Sequence, residues 1–251
     1  MKKILLLTFV FVQVAFNLFG QEKLTIAVAA NAQYAMKAIE KQYEKETGKE
    51  IDLIIGSSGK LTAQIREGAP FDLFLSADME FPQALYKENL TTSEPQIYAY
   101  GSLVLWTCKD IDLLNVNVLL IPEVQVIAIA NPKVAPYGEA AVDVMKYYKV
   151  YDKVESKLVY GESISQVNQY ITSKAATIGF TAKSVVLSPE MKDKGKWMNI
   201  DKKAYQPIAQ GIVILNYSLE KHKTDAELFY NYLLSEKARK TFSKYGYQFS
   251  K

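Results

Sequence analysis

Ile54-Ile55-Gly56-Ser57-Ser58-Gly59-Lys60-Leu61-Thr62-Ala63-Gln64-Ile65-Arg66-Glu67-Gly68, running on through Ala69-Pro70-Phe71-Asp72-Leu73-Phe74-Leu75-Ser76-Ala77-Asp78, is the stretch on which the fold turns. It reads as the end of an apolar strand, a small-residue turn, a short amphipathic helix and a second strand. Leu61 and Ile65 give the helix a buried stripe, and Gly68 fits a C-terminal cap. Two serines stand where the helix begins. Backbone N–H groups there have no acceptor within the helix, and with hydroxyls beside them they suit an anion. Serines also cap helices for purely structural reasons, so this turn alone does not decide function. A triphosphate-binding loop does not fit. Ile54 stands where its first glycine belongs, and Leu61 where Ser or Thr should follow Gly-Lys.

Around this stretch, 251 residues with 49% hydrophobic and 23% charged side chains allow one large domain or two moderate ones with ample core. With 12 Gly, 8 Pro and no repeat, neither a disordered chain nor a solenoid fits. Lys2 and Lys3 precede an apolar run from Ile4 to Phe16, and polarity returns at Gln21-Glu22-Lys23. That order predicts a secretory signal peptide over residues 1–20 and an exported, periplasmic protein, because the run is short for a membrane span. Loss of the peptide leaves 28 basic against 27 acidic side chains. So balanced a chain lacks the basic face that a nucleic-acid partner requires. Cys108 is the one cysteine, so export brings no disulfide framework and no lipid-anchored N-terminal cysteine. His222 is the one histidine, and its Lys221-His222-Lys223 setting predicts a solvated surface residue. A zinc or copper site built on soft ligands has too few residues to form, and neither a catalytic triad nor a G-x-S-x-G turn can be assembled. An enzyme is therefore not expected, and no cofactor is implied.

In chain order, Leu24 to Ala30 predicts a strand, with Asn31 capping a helix whose apolar positions are Ala35/Met36, Ile39 and Tyr43. Ile51 to Ile55 is the next strand and delivers Ser57 and Ser58 to the same kind of position. Phe71 to Leu75 is a third strand, and Phe81 to Glu88 a helix. Gly101 to Thr107 reads as a strand crossing into a second lobe, where the unit repeats. Val124 to Ala130 leads to a helix opening at Pro136-Tyr137, as proline favours a first helical position. Lys157 to Tyr160 leads to Ser163-Ile164-Ser165-Gln166, an S-x-x-Q capping box opening a helix to about Thr172. Thr177 to Thr181 is a strand, and Gln210 to Leu215 returns to the first lobe. Thr224 to Tyr245 holds the last helices, with Phe229, Tyr232, Leu233 and Phe242 inward. Two strand–cap–helix junctions in each half point to a cleft lined by helix starts at the strands' carboxyl ends, where open α/β sheets bind ligands.

These residues also resemble a known family. Ala29-Ala30-Asn31-Ala32, Ser57-Ser58-Gly59-Lys60-Leu61 with Gln64-Ile65, and above all Gly68-Ala69-Pro70-Phe71-Asp72-Leu73-Phe74-Leu75-Ser76-Ala77-Asp78 are similar to the periplasmic molybdate-binding proteins. Asn131-Pro132, Ala135-Pro136-Tyr137-Gly138, Glu162-Ser163-Ile164, Ile178-Gly179-Phe180 and Tyr245-Gly246-Tyr247 continue the likeness in order. The resemblance implies a two-lobed, type II binding-protein fold, each lobe a mixed, mainly parallel sheet flanked by helices. Residues 21–100 with 207–251 would form lobe 1 and residues 101–206 lobe 2. It implies a monomer that hands molybdate or tungstate to a membrane permease driven by a cytoplasmic ATPase. Oxyanion contacts carried over fall on Asn31, Ser58, Tyr137 and the backbone of Ile164, with Ala30, Ser57 and Ser163 as neighbours. Where many members have a cleft tyrosine this chain has Ala182, and the Tyr137 hydroxyl is expected to substitute from the opposite wall. Sulfate or phosphate remains the alternative ligand, with Glu162 a candidate acceptor for a protonated phosphate. Lys60 is expected to be solvated.

Overall fold

The computed structural model describes residues 23–249; the expected signal peptide at 1–20 lies outside the described residues. The chain opens with β1 (Leu24–Ala29), a 3-10 turn at Ala30–Ala32, α1 (Gln33–Thr47), β2 (Ile51–Gly56) and α2 (Ser58–Arg66). It continues through β3 (Leu73–Leu75), α3 (Glu80–Lys87) and β4 (Gln96–Tyr100). Next come β5 (Leu103–Thr107), β6 (Ile127–Ala130), α4 (Pro136–Tyr147), α5 (Tyr151–Val154), β7 (Leu158–Gly161), α6 (Ile164–Thr172), β8 (Ile178–Ala182), α7 (Lys183–Val186) and β9 (Lys196–Asn199). The last elements are β10 (Ala209–Ile214), α8 (Tyr217–Lys221), α9 (Lys223–Leu234) and α10 (Glu236–Lys244).

Among the described residues ten strands form two five-stranded sheets, ordered β2-β1-β3-β10-β4 and β7-β6-β8-β5-β9. In each, three neighbouring strands pair in parallel and the other two join through successive antiparallel pairings. The chain passes from the first sheet to the second between Tyr100 and Leu103 and returns between Asn199 and Ala209. The helices that follow β1, β2, β6 and β7 therefore start at equivalent places, at the carboxyl ends of parallel strands. That placement follows from right-handed crossover units, which return each chain segment to the same edge.

Local chemistry explains most of these elements. Leu61 and Ile65 are buried on α2 as the spacing predicts. Its C-terminus closes as a Schellman motif: Ala69 N–H reaches Gln64 C=O, Gly68 N–H reaches Ile65 C=O, and Gly68 takes φ +82°. Pro136 occupies the first turn of α4, as expected. The lobe cores hold Ile26, Val28, Leu73 and Phe229 in the first, and Trp106, Ile129 and Phe180 in the second. Tyr232 is only partly buried, while Phe229, Leu233 and Phe242 are inward.

Three local expectations are corrected. Asn31 does not cap α1; it lies inside the 3-10 turn, whose cap is Ala29, and its side chain is drawn elsewhere by tertiary partners. Neither bond of the capping box forms: Ser163 makes no capping bond, and Gln166 Oε1 accepts from Glu162 N–H, one residue before the N-cap. His222 is not solvated. Its Nδ1 lies 2.9 Å from Asp72 Oδ1, and the two side chains are 9% and 0% exposed. The other oxygen of Asp72 accepts Thr25 N–H at 2.8 Å, so this carboxyl group pins the α8–α9 corner to the sheet. Asp72→Ala takes the acceptor from Thr25 N–H and the carboxylate from His222 Nδ1, and a buried group stranded in this way costs about 1–3 kcal/mol. The expected result is a clearly lower urea midpoint for the variant, with its slope unchanged.

Candidate functional site

The four helix starts meet. Ala29, Ala30 and Asn31 before α1, Ser57 and Ser58 at α2, Ala135, Pro136 and Tyr137 at α4, Ile164 at α6, and Ala77 after β3 line one cavity between the lobes. Ser58, Tyr137 and Ile164 sit in the first turn of their helices, and Asn31 in the 3-10 turn leading into α1, where backbone N–H groups lack an intrahelical acceptor. Ser58 Oγ accepts Ala77 N–H at 3.0 Å, which leaves its own proton to donate. Ser57 Oγ is buried with no hydrogen-bond partner among the described residues. A buried hydroxyl left without a partner is uncommon and calls for something to satisfy it. No Lys, Arg or His among the described residues lines the cavity.

The lobes are closed on it. Gly59 N–H donates to Val134 C=O at 2.9 Å, and Ser165 Oγ to Gln33 Oε1 at 3.1 Å, both across the cleft. Ala29, Ala30 and Ala77 of the first lobe pack into the second lobe's hydrophobic cluster. The cavity measures about 10 Å³, close to the least that holds one water, so a polyatomic ion enters only as the lobes part. Lys60, expected to be solvated, pairs across the rim with Glu162 at 2.6 Å, both half exposed. Such an exposed pair contributes at most about 1 kcal/mol.

Behind the cavity lies a buried polar cluster that the sequence reading missed. Asn31 Nδ2 donates to Gln210 Oε1 at 2.8 Å and to the Tyr247 hydroxyl at 3.1 Å. The Tyr247 and Ser184 hydroxyls both donate to Asn31 C=O, at 3.1 and 2.6 Å. Tyr98 O–H donates to Gln210 Oε1 at 2.7 Å, and Gln210 Nε2 donates to the Tyr137 hydroxyl at 3.2 Å. Burial holds the Tyr98 and Tyr137 phenols well above their ordinary value and pushes Tyr247 up to about 12, so all three stay protonated. The available signal was a single amide within the apolar run from Ala209 to Ile214.

Of the residues singled out from the sequence, Asn31, Ser58, Tyr137, Ile164, Ala30 and Ser57 all line the cavity. Ser163 and Glu162 do not: Ser163 stands at the N-cap position of α6 without a capping bond, and Glu162 is turned to Lys60 at the surface. Ala182 is buried at the end of β8 and is likewise not part of the lining. No group of three or more His, Cys, Asp or Glu among the described residues is arranged to hold a metal ion.

Two sheets of this topology closing on an interlobe cavity define the class of two-lobed, type II extracellular binding proteins. The profile of the bacterial extracellular solute-binding proteins matches residues 24–248, and the chain belongs to that family. It is 38% identical over 224 residues to a molybdate-binding protein ModA of Azotobacter vinelandii, covering 88% of each chain. It is 36% identical to a namesake from Rhodobacter capsulatus over 222 residues, 88% of this chain and 86% of that one. Its structure is similar to that of the periplasmic molybdate-binding protein of Azotobacter vinelandii, with a TM-score of 0.86 at 31% identity, covering 91% of this chain and all of that one. The family is one of substrate-binding transport proteins.

Beside the cavity, Asp78 and Glu80 of the first lobe face Glu139 and Asp143 of the second around an acidic groove. Burial raises the Asp78 carboxyl from 3.8 to about 6, against bonds from Ser76 Oγ and Phe81 N–H that favour the ionised form. Between these two values the folded state binds more protons than the unfolded chain, so this group lowers stability as pH rises through the window. Asp78→Asn keeps an acceptor oxygen while removing the buried charge. The variant should melt higher than the parent at pH 7.5, with the gap closing below about pH 4.

Proposed function

We propose that this protein binds molybdate, and tungstate with it, in the interlobe cavity and delivers the oxyanion to an ABC-type permease with its cytoplasmic ATPase. The observation that supports it best is the meeting of four helix starts, with the partnerless Ser57 hydroxyl, on one cavity that no basic side chain lines. The molybdate-binding names of relatives 36–38% identical support the same ligand. A tetrahedral dianion exchanges its hydration shell here for neutral donors: the N–H groups of Asn31, Ser58, Tyr137 and Ile164 and the hydroxyls of Ser57, Ser58 and Tyr137. Helix N-termini supply partial positive charge to the same point. In this reading the protein is exported to the periplasm, works as a monomer without a cofactor, and catalyses no reaction. Residues 21–100 with 207–251 move against residues 101–206 by a hinge at the two crossings, as in other two-lobed binders.

Ligand class is read by a thermal melt of the mature protein with molybdate, tungstate, sulfate or phosphate in separate excess. A ligand that binds only the folded state raises the melting temperature by mass action. Molybdate and tungstate should each raise it, and sulfate and phosphate should leave it unchanged. A shift with sulfate or phosphate alone would replace the ligand and keep the site. Among variants, Ser58→Ala should weaken molybdate binding roughly 5- to 150-fold, the equivalent of about 1–3 kcal/mol. Ser57→Ala should weaken binding while leaving the ligand-free melt within error of the parent, because its hydroxyl gives up no bond in the empty protein. Tyr137→Phe should cost roughly tenfold or more. Parent-like affinity in Tyr137→Phe would remove the hydroxyl from the site.

A further inference from the structure

We infer that Gln210 is a positioning residue for the anion site, acting through Tyr137: its amide holds the tyrosine hydroxyl as a donor aimed away from the protein's own acceptors. The inference rests on the oxyanion reading above and names a residue that never touches the ligand.

The geometry fixes which way the amide faces. The Tyr247 hydroxyl must give its proton to the Asn31 backbone carbonyl, so it accepts from the Asn31 side-chain NH2; that same NH2 faces Gln210 at 2.8 Å, and the group of Gln210 that receives it is the oxygen. Tyr98 O–H fills the second lone pair of that oxygen at 2.7 Å. The nitrogen of Gln210 therefore faces the Tyr137 oxygen, 3.2 Å away, and an amide nitrogen can only donate. Tyr137 must accept that bond, which sends its own proton elsewhere. No acceptor for this proton is found among the described residues, and burial keeps the phenol protonated. Tyr137 is one of the residues lining the cavity, and in this reading its unassigned proton is the one that an anion bound there receives.

The surroundings are built to permit this contact. Gln210 is fully buried, immediately past the return crossing, where the register of β10 shifts between Gln210 and Gly211. Gly101 stands at the outgoing crossing and donates its N–H to Ile208 C=O at 2.9 Å. A side chain there would put its Cβ 2.0 Å from the Tyr137 hydroxyl and 2.5 Å from Gln210 Nε2. The two crossings thus meet at a bond joining β10 of one lobe to α4 of the other. A residue at this place must accept from Asn31 and donate to Tyr137 at once. Glutamine does both; an ionised glutamate would only accept, and would draw the tyrosine proton to itself.

The test is a double-mutant cycle on the mature protein, with sodium molybdate affinity measured by titration calorimetry for the parent, Gln210→Met, Tyr137→Phe and the pair. Gln210→Met removes all three bonds of the amide at nearly constant volume. Alone it should weaken binding about tenfold, and on the Tyr137→Phe background by less than threefold, because the route through the tyrosine hydroxyl is already gone and Tyr247 still holds the Asn31 amide. A merely structural loss would be carried into both backgrounds equally, so additive costs would overturn the positioning role. Unchanged affinity in Gln210→Met would overturn it too. Ligand-free melts establish that each variant is folded. Where Gln210→Met does not fold, Gln210→Glu takes its place, and it should lose more than tenfold on the parent background and distinctly less on Tyr137→Phe. A parent protein that binds none of the four oxyanions would overturn the ligand reading, and this inference with it. A binding parent with an additive cycle would overturn the positioning role alone.

Discussion

A backbone N–H in the first turn of a helix has no acceptor inside that helix, and burying it without one costs free energy. This chain buries such groups from four helix starts around one cavity. The two sheets follow from that arrangement. Each supplies a pair of adjacent parallel strands, β1 with β2 and β6 with β7, whose carboxyl ends release a turn of small residues and a helix. Alanine, serine and glycine at those turns let two backbones approach closely, as the Gly59–Val134 bond shows. A larger side chain at Ala29, Ala30 or Ala77 would hold the lobes apart before the donors could converge.

The polar cluster behind the cavity solves a second problem, that of orienting the donors. Asn31 has its carbonyl held by two hydroxyls, one from each lobe, and its amide by Gln210 and Tyr247. With the amide so occupied, the turn at Ala30–Ala32 presents its backbone N–H groups to the cavity. Local sequence did not show this. An asparagine between a strand and a helix reads as an N-cap, because capping is the best bond available within a few residues. Partners 179 and 216 residues away outcompete that local bond and tighten the turn to 3-10 geometry.

The same contrast between local and distant partners separates what was legible from what was not. The strands feeding the site were legible because each is a continuous apolar run with a turn at its end, and six of the seven proposed site residues do line the cavity. Strands β4 and β9 escaped because Gln96–Tyr100 and Lys196–Asn199 are edge strands of mixed polarity, without a continuous apolar face. His222 looked solvated between two lysines, yet Asp72, 150 residues earlier, takes it into the fold. Gln210 was read only as the start of an apolar strand. Nothing in its neighbours reveals that three residues from three other elements, Asn31, Tyr98 and Tyr137, meet on its amide.

The charge distribution bears on how such a cavity can work. Its lining is neutral, and the groove beside it carries Asp78, Glu80, Glu139 and Asp143. An anion approaching by this groove meets like charge, so retention depends on short contacts made after the lobes close. Closure lowers the local dielectric and strengthens every N–H and O–H contact within. It also sharpens selection, since a fixed ring of donors leaves any unmatched oxygen or donor without a partner at about 1–3 kcal/mol each. A lysine or arginine in the lining would attract any anion whatever its size. Neutral donors at fixed positions make the fit of the ion, rather than its charge alone, the quantity that decides whether the closed form is stable.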